Sequence, residues 1–420
     1  MKKSTNAVSP QNDPSLPKML ALEEALERVL DGVSVLAEER VPLLSALGRT
    51  LAKAAHSKSP QPGFDNSAMD GYAARTSDFL GDGPWEISVR GESAAGNPAS
   101  HLVEGTLCRI FTGAMIPEGA DAIIMQENTE LSTADSVRVL QAPKRNEHIR
   151  RKGDDLATGD LALPQGTLLD GFSMGLLASL GHDQVTVHRK PRVAILCTGD
   201  ELRLPSEANR PGSICESNGV AIAGLATQAG AQVHLAPLLP DEPTAIRRAV
   251  SDAVANSDIV ITIGGVSVGD HDHVRDALVA AGVQLNFWKV AIKPGKPLAS
   301  GRVGNTAVLG LPGNPVSAQL TFGLFGIPLL RTLQGRPATT HEFSATLSNT
   351  VRQRPGRRSF VRATLTKKDS THHVAPLKHQ SSGSVASLAY ANALIIVPED
   401  CEALIAGTLV KVIRLDDLCR

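Results

Sequence analysis

Three segments of the same design decide the fold: AILCTGDEL at residues 194–202, IVITIGGVSVGD at 259–270 and AVLGLPGNPVSA at 307–318. Each begins as a short apolar run that predicts a buried strand and continues into a loop that contains glycine. Strands that alternate with helices are typical of βαβ units, so residues 190–335 are predicted to form an α/β domain around a mainly parallel sheet. The other predicted elements are a strand at Gln232–Leu239 and helices at Gly219–Ala229, Thr244–Val254, His273–Ala281 and Val316–Leu330.

The three loops are candidates for one ligand site. Ligands of open parallel sheets bind beyond the carboxyl ends of the strands, and glycines let the backbone approach a phosphate. A single loop of this kind is often an ordinary turn, whereas three such loops, each at the end of a predicted strand, favour a binding crevice. A Walker P-loop and a Rossmann fingerprint are excluded because their glycine spacings do not occur. The loop residues predicted to contact the ligand are Gly264, Gly265, Ser267, Gly269, Pro312, Gly313, Asn314 and Pro315.

A run of lysines near these loops predicts an anion site. Lys289, Lys293 and Lys296 lie on a segment stiffened by proline. Rigid ammonium groups suit an oxyanion or a pyrophosphate. The alternative, lysines that are simply solvated, is equally compatible with the spacing.

Carboxylates also accumulate near the loops and suggest a metal. Glu201, Asp241 and Asp272 offer the hard oxygen ligands that Mg²⁺ uses beside phosphate groups. For Asp241 the alternative is a plain helix N-cap. His271 and His273 flank Asp272, but no third ligand stands at a zinc-like spacing, so a solvated helix start is favoured there.

The pattern changes on both sides of the α/β segment. Before it, Met19–Val33 has the spacing of an amphipathic helix, and PGFDNSAMDGYA at 62–73 has no period and resembles a functional loop. Alternating runs at Trp85–Val89, Thr106–Phe111 and Ala120–Met125 predict a small β domain. Beyond His341, strands are predicted at Phe343–Val351, Phe360–Leu365, Ala393–Pro398 and Thr408–Ile413. The basic bias of residues 331–380 favours either a solvated face or an anion-binding surface.

Composition limits the function classes. The chain has 420 residues, which predicts three or four domains, and its 42 basic and 43 acidic residues give no global field for nucleic acid. Aromatic residues are 3% of the chain, too few for base-stacking platforms, and no apolar run is long enough to span a membrane. Residues 1–17 are predicted to be a disordered tail without a signal peptide. Five scattered cysteines favour a reducing cytoplasm.

Taken together, the motifs resemble those of the molybdopterin molybdenumtransferase family, which includes MoeA and the gephyrin E domain. The resemblance rests on PGFDNSAMDGYA, FTGAMIPEGADAIIMQE, IRRKGDD, TGDEL, GGVSVGD, FWKVAIKPGKP, LPGNPVSA and AYANALI, in that order. It implies a helical linking domain at 18–54 and 150–189, a β domain at 55–149, the α/β molybdopterin-binding domain at 190–335 and a C-terminal β-barrel at 336–420.

The resemblance also implies an activity and a set of functional residues. The expected reaction is Mg²⁺-dependent insertion of molybdenum from molybdate into adenylylated molybdopterin, with release of AMP and molybdenum cofactor, by a cytoplasmic homodimer. Molybdopterin adenylyltransferase and molybdoenzyme acceptors or chaperones are the implied partners. The implied catalytic residues are Asp70, Thr112, Asp155, Glu201, Asp241 and Asp272, with Glu201 and Asp272 as the metal pair; Lys289, Lys293, Lys296, Arg362 and Ser382 bind substrate.

Two alternatives and one departure stay open. The chain could instead be an adenylyltransferase that makes the adenylylated pterin from ATP, or a scaffold without enzymatic activity, as in gephyrin. The family's usual Tyr-Asp-Ser/Thr-Asn is replaced here by Cys215-Glu216-Ser217-Asn218. The sequence alone assigns no role to the longer acidic side chain of Glu216.

Overall fold

The computed structural model describes residues 17, 19–265 and 273–419, which fold into two compact units. The first, here called the α/β–barrel unit, contains the described residues up to Glu39, then Gly48–Ala52 and the chain from Val187 onwards. The second, the β-rich unit, contains Arg40–Leu47 and Lys53–Thr186. The finer four-domain division stays a prediction.

The centre of the α/β–barrel unit is a six-stranded sheet that is parallel over its first four strands. Its order is Gln232–Leu235, Arg192–Cys197, Ile259–Ile263, Thr306–Leu311, Pro297–Val303 and Gln284–Lys289. The last two strands run antiparallel to their neighbours and were not expected from the sequence. The predicted mainly parallel α/β sheet is therefore confirmed, with an antiparallel extension at one edge.

Alternate residues of these strands pack into cores on opposite faces of the sheet. In the second strand, Val193 and Ile195 belong to one core, whereas Ala194 and Leu196 belong to the other. The N-terminal helix Leu22–Leu30 buries Ala25 and Val29 in the first core. The other covering helices are Asn218–Gln228, Pro243–Asn256, His273–Ala280, Pro315–Thr321 and Ile327–Leu333, the last two being joined by a π turn at Phe322–Gly326.

In the described part of the chain, one helical stretch has the length and hydropathy of a membrane span. It is Pro315–Leu333, and 89% of it is buried inside the protein. It is a core helix of the α/β–barrel unit, since its residues Phe322, Phe325 and Leu329 belong to the first core.

The C-terminal segment forms the predicted closed barrel. Strand Arg358–Lys368 pairs with both Thr371–Pro376 and Ala393–Val397, which closes the ring of five. The remaining two barrel strands are Glu342–Leu347 and Leu409–Arg414. Thr371–Pro376 was not expected, because its sequence THHVAP lacks a continuous apolar pattern.

The β-rich unit contains a six-stranded sheet. Its order is Ala122–Met125, Gly71–Ala74, Leu107–Ile110, Trp85–Ser93, Ser136–Val139 and Thr129–Thr133. Gly71 is required there, because a Cβ at this position would lie 1.8 Å from the carbonyl oxygen of Ile124. Helix Gly171–Ser179 begins after its N-cap Asp170, whose side chain accepts a hydrogen bond from the amide of Ser173.

Short elements complete the two units. They are the strands Glu38–Pro42, Ala55–His56, Asn66–Ser67, Ile149–Arg150, Leu161–Leu163, Gln184–His188, Leu202–Arg203, Ile214–Cys215, Ile292–Lys293, Val351–Arg352 and Ala403–Leu404, and the helix Val385–Tyr390.

Candidate functional site

The three glycine-containing loops leave neighbouring strands at the same edge of the sheet. Strand Arg192–Cys197 pairs with Ile259–Ile263, which in turn pairs with Thr306–Leu311, all in parallel register. The amide of Thr198 donates to the carbonyl of Ile263 at 3.2 Å, and the amide of Gly264 to Leu311 at 3.4 Å. The described parts of the three loops therefore begin at one edge of the sheet, but only the first two contribute to the cavity described next.

Two glycines of the middle loop are required by their backbone conformation and by close contacts. Gly264 and Gly265 have φ of +86° and +64°, a conformation that side chains disfavour. A Cβ would lie 2.8 Å from the carbonyl oxygen of Thr198 in the first case and 2.4 Å from Cγ2 of Val274 in the second. The rest of this loop, residues 266–272, lies outside the described residues, and with it the predicted site residues Ser267, Gly269 and Asp272.

The first loop and the start of the second line a cavity of about 230 Å³, here called the acidic cavity. Glu201 and Asp241 are its carboxylates, and both are exposed. Asp241 is not a helix N-cap, because the following helix begins at Pro243 with Glu242 in the capping position. The backbone amide of Asp241 instead donates to Asp200 Oδ1 at 3.1 Å. The remaining lining residues are Thr198, Gly199, Ile246, Gly264, Gly265, His273 and Val274.

The acidic cavity offers two carboxylates to a metal ion among the residues that the structure describes. Among the described residues, no three His, Cys, Asp or Glu side chains are grouped as a metal site. Mg²⁺ usually takes one or two carboxylates and completes its shell with water and substrate phosphates. Glu201 of the predicted metal pair lines the cavity beside the glycine backbone, and Asp241 is its second described carboxylate, whereas Asp272 lies outside the described residues.

A second cavity of about 660 Å³, here called the basic cavity, lies between the lysine loop and the barrel. The short strand Ile292–Lys293 pairs with Arg358–Ser359 of the barrel, which holds the lysine loop against it. None of the described carboxylates lines this cavity. Its charged residues are Lys293, Lys296, Arg352, Arg357 and Arg362, and Ser382 also lines it.

Arg362 is the most constrained cation of the basic cavity. It is 1% exposed, its Nε donates to Ser387 Oγ at 3.1 Å, and one terminal nitrogen donates to the carbonyl of Ser381 at 3.0 Å. Burial lowers its pKa, but a guanidinium stays protonated in proteins. Since no carboxylate of the described chain pairs with it, the fixed positive charge is available to an anion.

The third loop, Pro312–Pro315, and the helix that follows it make hydrogen bonds to two other segments of the chain. Asn218 Nδ2 donates to the carbonyl of Gly313 at 2.7 Å, and the amide of Val316 donates to the carbonyl of Ser382 at 3.1 Å. Asn314 is the N-cap and Pro315 the first residue of the helix that follows, while Pro312 is buried. Ser382 is thus placed beside the helix that the Pro-Gly-Asn-Pro loop begins.

Lys289 is separated from the other two lysines. It is half-buried in strand Gln284–Lys289, opposite Pro297, and it does not line the basic cavity. Lys293 and Lys296 are exposed and do line it.

Glu216 has a structural role that the sequence did not assign. It is 6% exposed, and its carboxylate accepts the amide of Gly219 at 2.5 Å and that of Val220 at 3.4 Å. Glu216 precedes the N-cap residue Ser217, and its negative charge thus lies at the start of helix Asn218–Gln228. The same carboxylate lies beside the Cys197 thiol, whose pKa is raised to about 12 by burial and by this negative charge. These hydrogen bonds fix the start of the helix from which Asn218 reaches Gly313.

In the β-rich unit, two of the predicted catalytic residues contact each other. Asp70 Oδ1 accepts the Thr112 amide at 2.7 Å and the Thr112 hydroxyl at 2.8 Å. These two hydrogen bonds lower the pKa of Asp70. Its carboxylate is therefore held charged and oriented in a fully exposed position.

Asp155 lines a separate cavity of about 400 Å³ with Gln61, Pro62, Arg150 and Asp154. The strand pair Asn66–Ser67 and Ile149–Arg150 joins the Asp-Asn-Ser-Ala-Met-Asp loop to the Arg-Arg-Lys-Gly-Asp-Asp loop. Asp65 strengthens this connection through an ion pair with Arg151 and a hydrogen bond from the amide of Lys152.

Sequence reasoning missed Asp65, Arg352, Arg357 and Ser359 as residues of these sites. The basic bias of residues 331–380 was the available signal for the two arginines. It could not separate them from the other basic residues of that region, because only the strand pairing selects which side chains face the cavity.

Comparisons with known proteins agree along the chain. Three family models match: the MoeA N-terminal region (domains I and II) at residues 20–181, a probable molybdopterin-binding domain at 194–332 and the MoeA C-terminal region (domain IV) at 344–415. A molybdopterin molybdenumtransferase of Haemophilus influenzae is 41% identical over 82% of this chain and 85% of its own. One of Nostoc sp. is 38% identical over 90% and 88%.

A solved structure has the same architecture. The molybdopterin biosynthesis MoeA protein of Pyrococcus horikoshii superimposes with a TM-score of 0.81 at 31% identity, over 94% of this chain and 100% of that one. The sequence matches, the superposition and the loop geometry agree, and the chain belongs to the molybdopterin molybdenumtransferase (MoeA) family.

Proposed function

We propose that this protein inserts molybdenum from molybdate into adenylylated molybdopterin and releases AMP and molybdenum cofactor. The observation that carries the proposal is the basic cavity, in which a buried Arg362 without a carboxylate partner in the described chain faces a site that contains no acid. A cavity of this charge suits a dianion such as molybdate. The relatives named molybdopterin molybdenumtransferase support the same reaction.

In this proposal the basic cavity binds molybdate. Lys293 and Lys296 contribute point charges, and Arg362 contributes a guanidinium whose orientation is fixed by Ser387 and Ser381. The Ser382 hydroxyl can donate to an oxo group. Fixing these donors before the substrate arrives reduces the reorganisation that the reaction requires.

The acidic cavity holds the nucleotide end in this proposal. Glu201 and Asp241 would hold Mg²⁺ together with Asp272, which lies outside the described residues. Mg²⁺ supplies Lewis-acid polarisation of a phosphoryl oxygen when it is bound. The backbone at Gly264 and Gly265 lets the pyrophosphate approach, and Lys289 stays a predicted contact near the lysine loop.

The protein is proposed to work as a cytoplasmic homodimer in which Asp70 and Asp155 complete the site of the partner subunit. This follows from the family resemblance. Mixing an inactive Asp70→Asn chain with an inactive Glu201→Gln chain tests it: recovery of activity supports shared sites, and no recovery in verified mixed dimers contradicts them. Adenylyltransferase, molybdoenzymes or their chaperones are the partners proposed for supply and delivery.

The decisive experiment incubates the protein with adenylylated molybdopterin, Mg²⁺ and molybdate and measures AMP. We expect AMP release that molybdate stimulates and EDTA abolishes. AMP release without any molybdate dependence would contradict the proposal. A parallel reaction with ATP and molybdopterin separates the adenylyltransferase alternative, since that enzyme would release pyrophosphate.

A further inference from the structure

The contact between Asp70 and Thr112 lies at the end of a pair of strands in the β-rich unit. Asp70 comes directly before strand Gly71–Ala74, and Thr112 comes two residues after strand Leu107–Ile110. The two strands are antiparallel neighbours. Both partners of the contact are exposed, so water competes for their hydrogen bonds. The orientation of the Asp70 carboxylate therefore depends on how firmly the two strand ends are held together.

The Arg109 side chain connects these strand ends through hydrogen bonds. Its Nη1 donates to the carbonyl of Gly71 at 3.2 Å, and its Nη2 donates to Oε1 of Gln126 at 3.0 Å. The amide of Gln126 in turn donates to the carbonyl of Asp70 at 3.1 Å. Arg109 thus contacts both the residue that follows Asp70 and a residue that holds the Asp70 backbone.

Two aromatic rings restrict the guanidinium of Arg109. Its Cζ lies 5.1 Å from the ring centroid of Tyr72 and 5.0 Å from that of Phe111. A planar guanidinium is attracted to the face of an aromatic ring and stacks on it. Tyr72 belongs to the strand that Asp70 precedes, and Phe111 directly precedes Thr112. These contacts therefore also join the two sides of the Asp70–Thr112 pair.

The charge of Arg109 acts on Asp70 and not through an ion pair, since Arg109 forms none in the described part of the chain. The hydrogen bonds from Thr112 are the main cause of the lowered pKa of Asp70, and the positive charge of Arg109 lowers this pKa further. A lysine keeps such a charge, but its single ammonium lacks the planar fork that spans two acceptors and stacks on two rings. The shape of the guanidinium matters here as well as its charge.

We propose that Arg109 is a positioning residue for the Asp70–Thr112 pair. Its guanidinium, held between Tyr72 and Phe111, fixes the two strand ends. The Asp70 carboxylate then accepts both hydrogen bonds from Thr112 and presents one orientation to a ligand. This inference rests on the proposed function only for the reaction that Asp70 serves, because the positioning itself is a property of the β-rich unit.

Hydrogen exchange of backbone amides in the full chain tests the positioning without substrate. In Arg109→Met we expect the Thr112 amide, which donates to Asp70, to exchange about tenfold faster or more. The neighbouring Gly113 amide, which donates to the carbonyl of Ser67 at 2.8 Å, should stay within about twofold of wild type. Unchanged exchange at Thr112 would overturn the proposal. Equal acceleration at both amides would also overturn it, because that result indicates general loosening.

The reaction gives a second readout. Arg109→Met should lower kcat for molybdate-dependent AMP release by about tenfold or more and leave KM for adenylylated molybdopterin within about twofold, because a misoriented catalytic group slows the reaction rather than weakening binding. Arg138→Met is the matched control. It removes the same charge from the same six-stranded sheet, at an exposed position whose ion pair with Glu130 measures 3.9 Å. Equal losses of kcat in both variants would overturn the proposal.

Arg109→Lys keeps the test decisive if Arg109→Met does not fold. It retains the charge without the planar fork, so the Thr112 amide should exchange at least about threefold faster than in wild type. Exchange at the wild-type rate would show that charge alone is sufficient and would overturn the proposal. The exchange measurements stay valid in a protein that releases no AMP, so failed positioning and a failed reaction give different results.

Discussion

The basic and acidic cavities belong to the same compact unit but are built in different ways. The acidic cavity consists of loops that directly follow two neighbouring parallel strands, with glycine backbone for walls and exposed carboxylates. The basic cavity is assembled from segments more than fifty residues apart, the lysine loop and the barrel, around a buried arginine. The near-neutral net charge of the chain therefore hides two cavities of opposite charge. Substitutions can remove the charge of one cavity without changing the residues of the other.

The largest expected effect comes from removing the buried charge of the basic cavity. Arg362→Ala should raise the molybdate concentration needed for half-maximal AMP release by roughly a hundredfold, since hydrogen bonds to charged groups contribute about 1.5–3 kcal/mol each and more than one is lost. Arg362→Lys restores a charge without the planar fork and should recover part of the loss. An Arg362→Ala protein with unchanged molybdate dependence would show that the cavity is not the molybdate site.

A substitution at Asp258 tests stability separately from the function of the two cavities, because Asp258 precedes strand Ile259–Ile263 and lies at the edge of the sheet opposite to the loops. Asp258 accepts two hydrogen bonds of 2.7 Å from Arg189 and one of 2.8 Å from the amide of Arg192. Asp258→Asn should lower the free energy of unfolding by about 2 kcal/mol and leave the molybdate and Mg²⁺ dependences unchanged. Denaturant unfolding and AMP assays check both statements.

The same carboxylate gives a pH dependence. Burial raises the pKa of Asp258, but the bonds from Arg189 and Arg192 outweigh it, and the net pKa is lowered. Its stabilisation is therefore present above the ordinary aspartate pKa of about 3.9 and is lost as the pH falls through the lower folded value. The stability difference between wild type and Asp258→Asn should shrink over that acid range, and a constant difference would contradict this origin.

Removing one carboxylate of the acidic cavity should have a smaller effect. Asp241→Asn is expected to raise the Mg²⁺ concentration needed for half-maximal activity by about tenfold, since the other proposed carboxylate ligands remain. The control is Glu242→Gln, which removes the adjacent exposed charge outside the cavity. Equal shifts in both variants would indicate a general charge effect rather than a metal ligand.

The smallest effect is expected in the β-rich unit. Thr112→Val removes the side-chain hydrogen bond to Asp70 but keeps the bond from the backbone amide. The pKa of Asp70 should rise towards its ordinary value, because one of the two hydrogen bonds that lower it is lost. An NMR titration of the carboxyl group measures this, and an unchanged pKa would show that the hydroxyl does not contribute.

The sequence predicted most of the residues that line the acidic cavity, but fewer of those that line the basic cavity. The parallel strands and their loops follow from local apolar runs and glycines, and adjacent parallel strands necessarily end at one edge. Lys289 was grouped with Lys293 and Lys296 because of spacing, yet the antiparallel strand Gln284–Lys289 separates it from the cavity. The sequence did not predict that strand or the barrel strand Thr371–Pro376. Their apolar patterns are weak, and the two segments are recognisable as strands only from their pairing with neighbouring strands.

The sequence by itself determined the family, the α/β sheet and the loops at its edge, because these depend on motifs and on apolar periods within short segments. Three properties required the tertiary structure: which cations face one cavity, the burial of Arg362 without a carboxylate partner among the described residues, and the hydrogen bonds that Glu216 accepts at the start of a helix. These properties depend on pairing between distant segments, such as Lys293 with Ser359, and on the burial that this pairing produces.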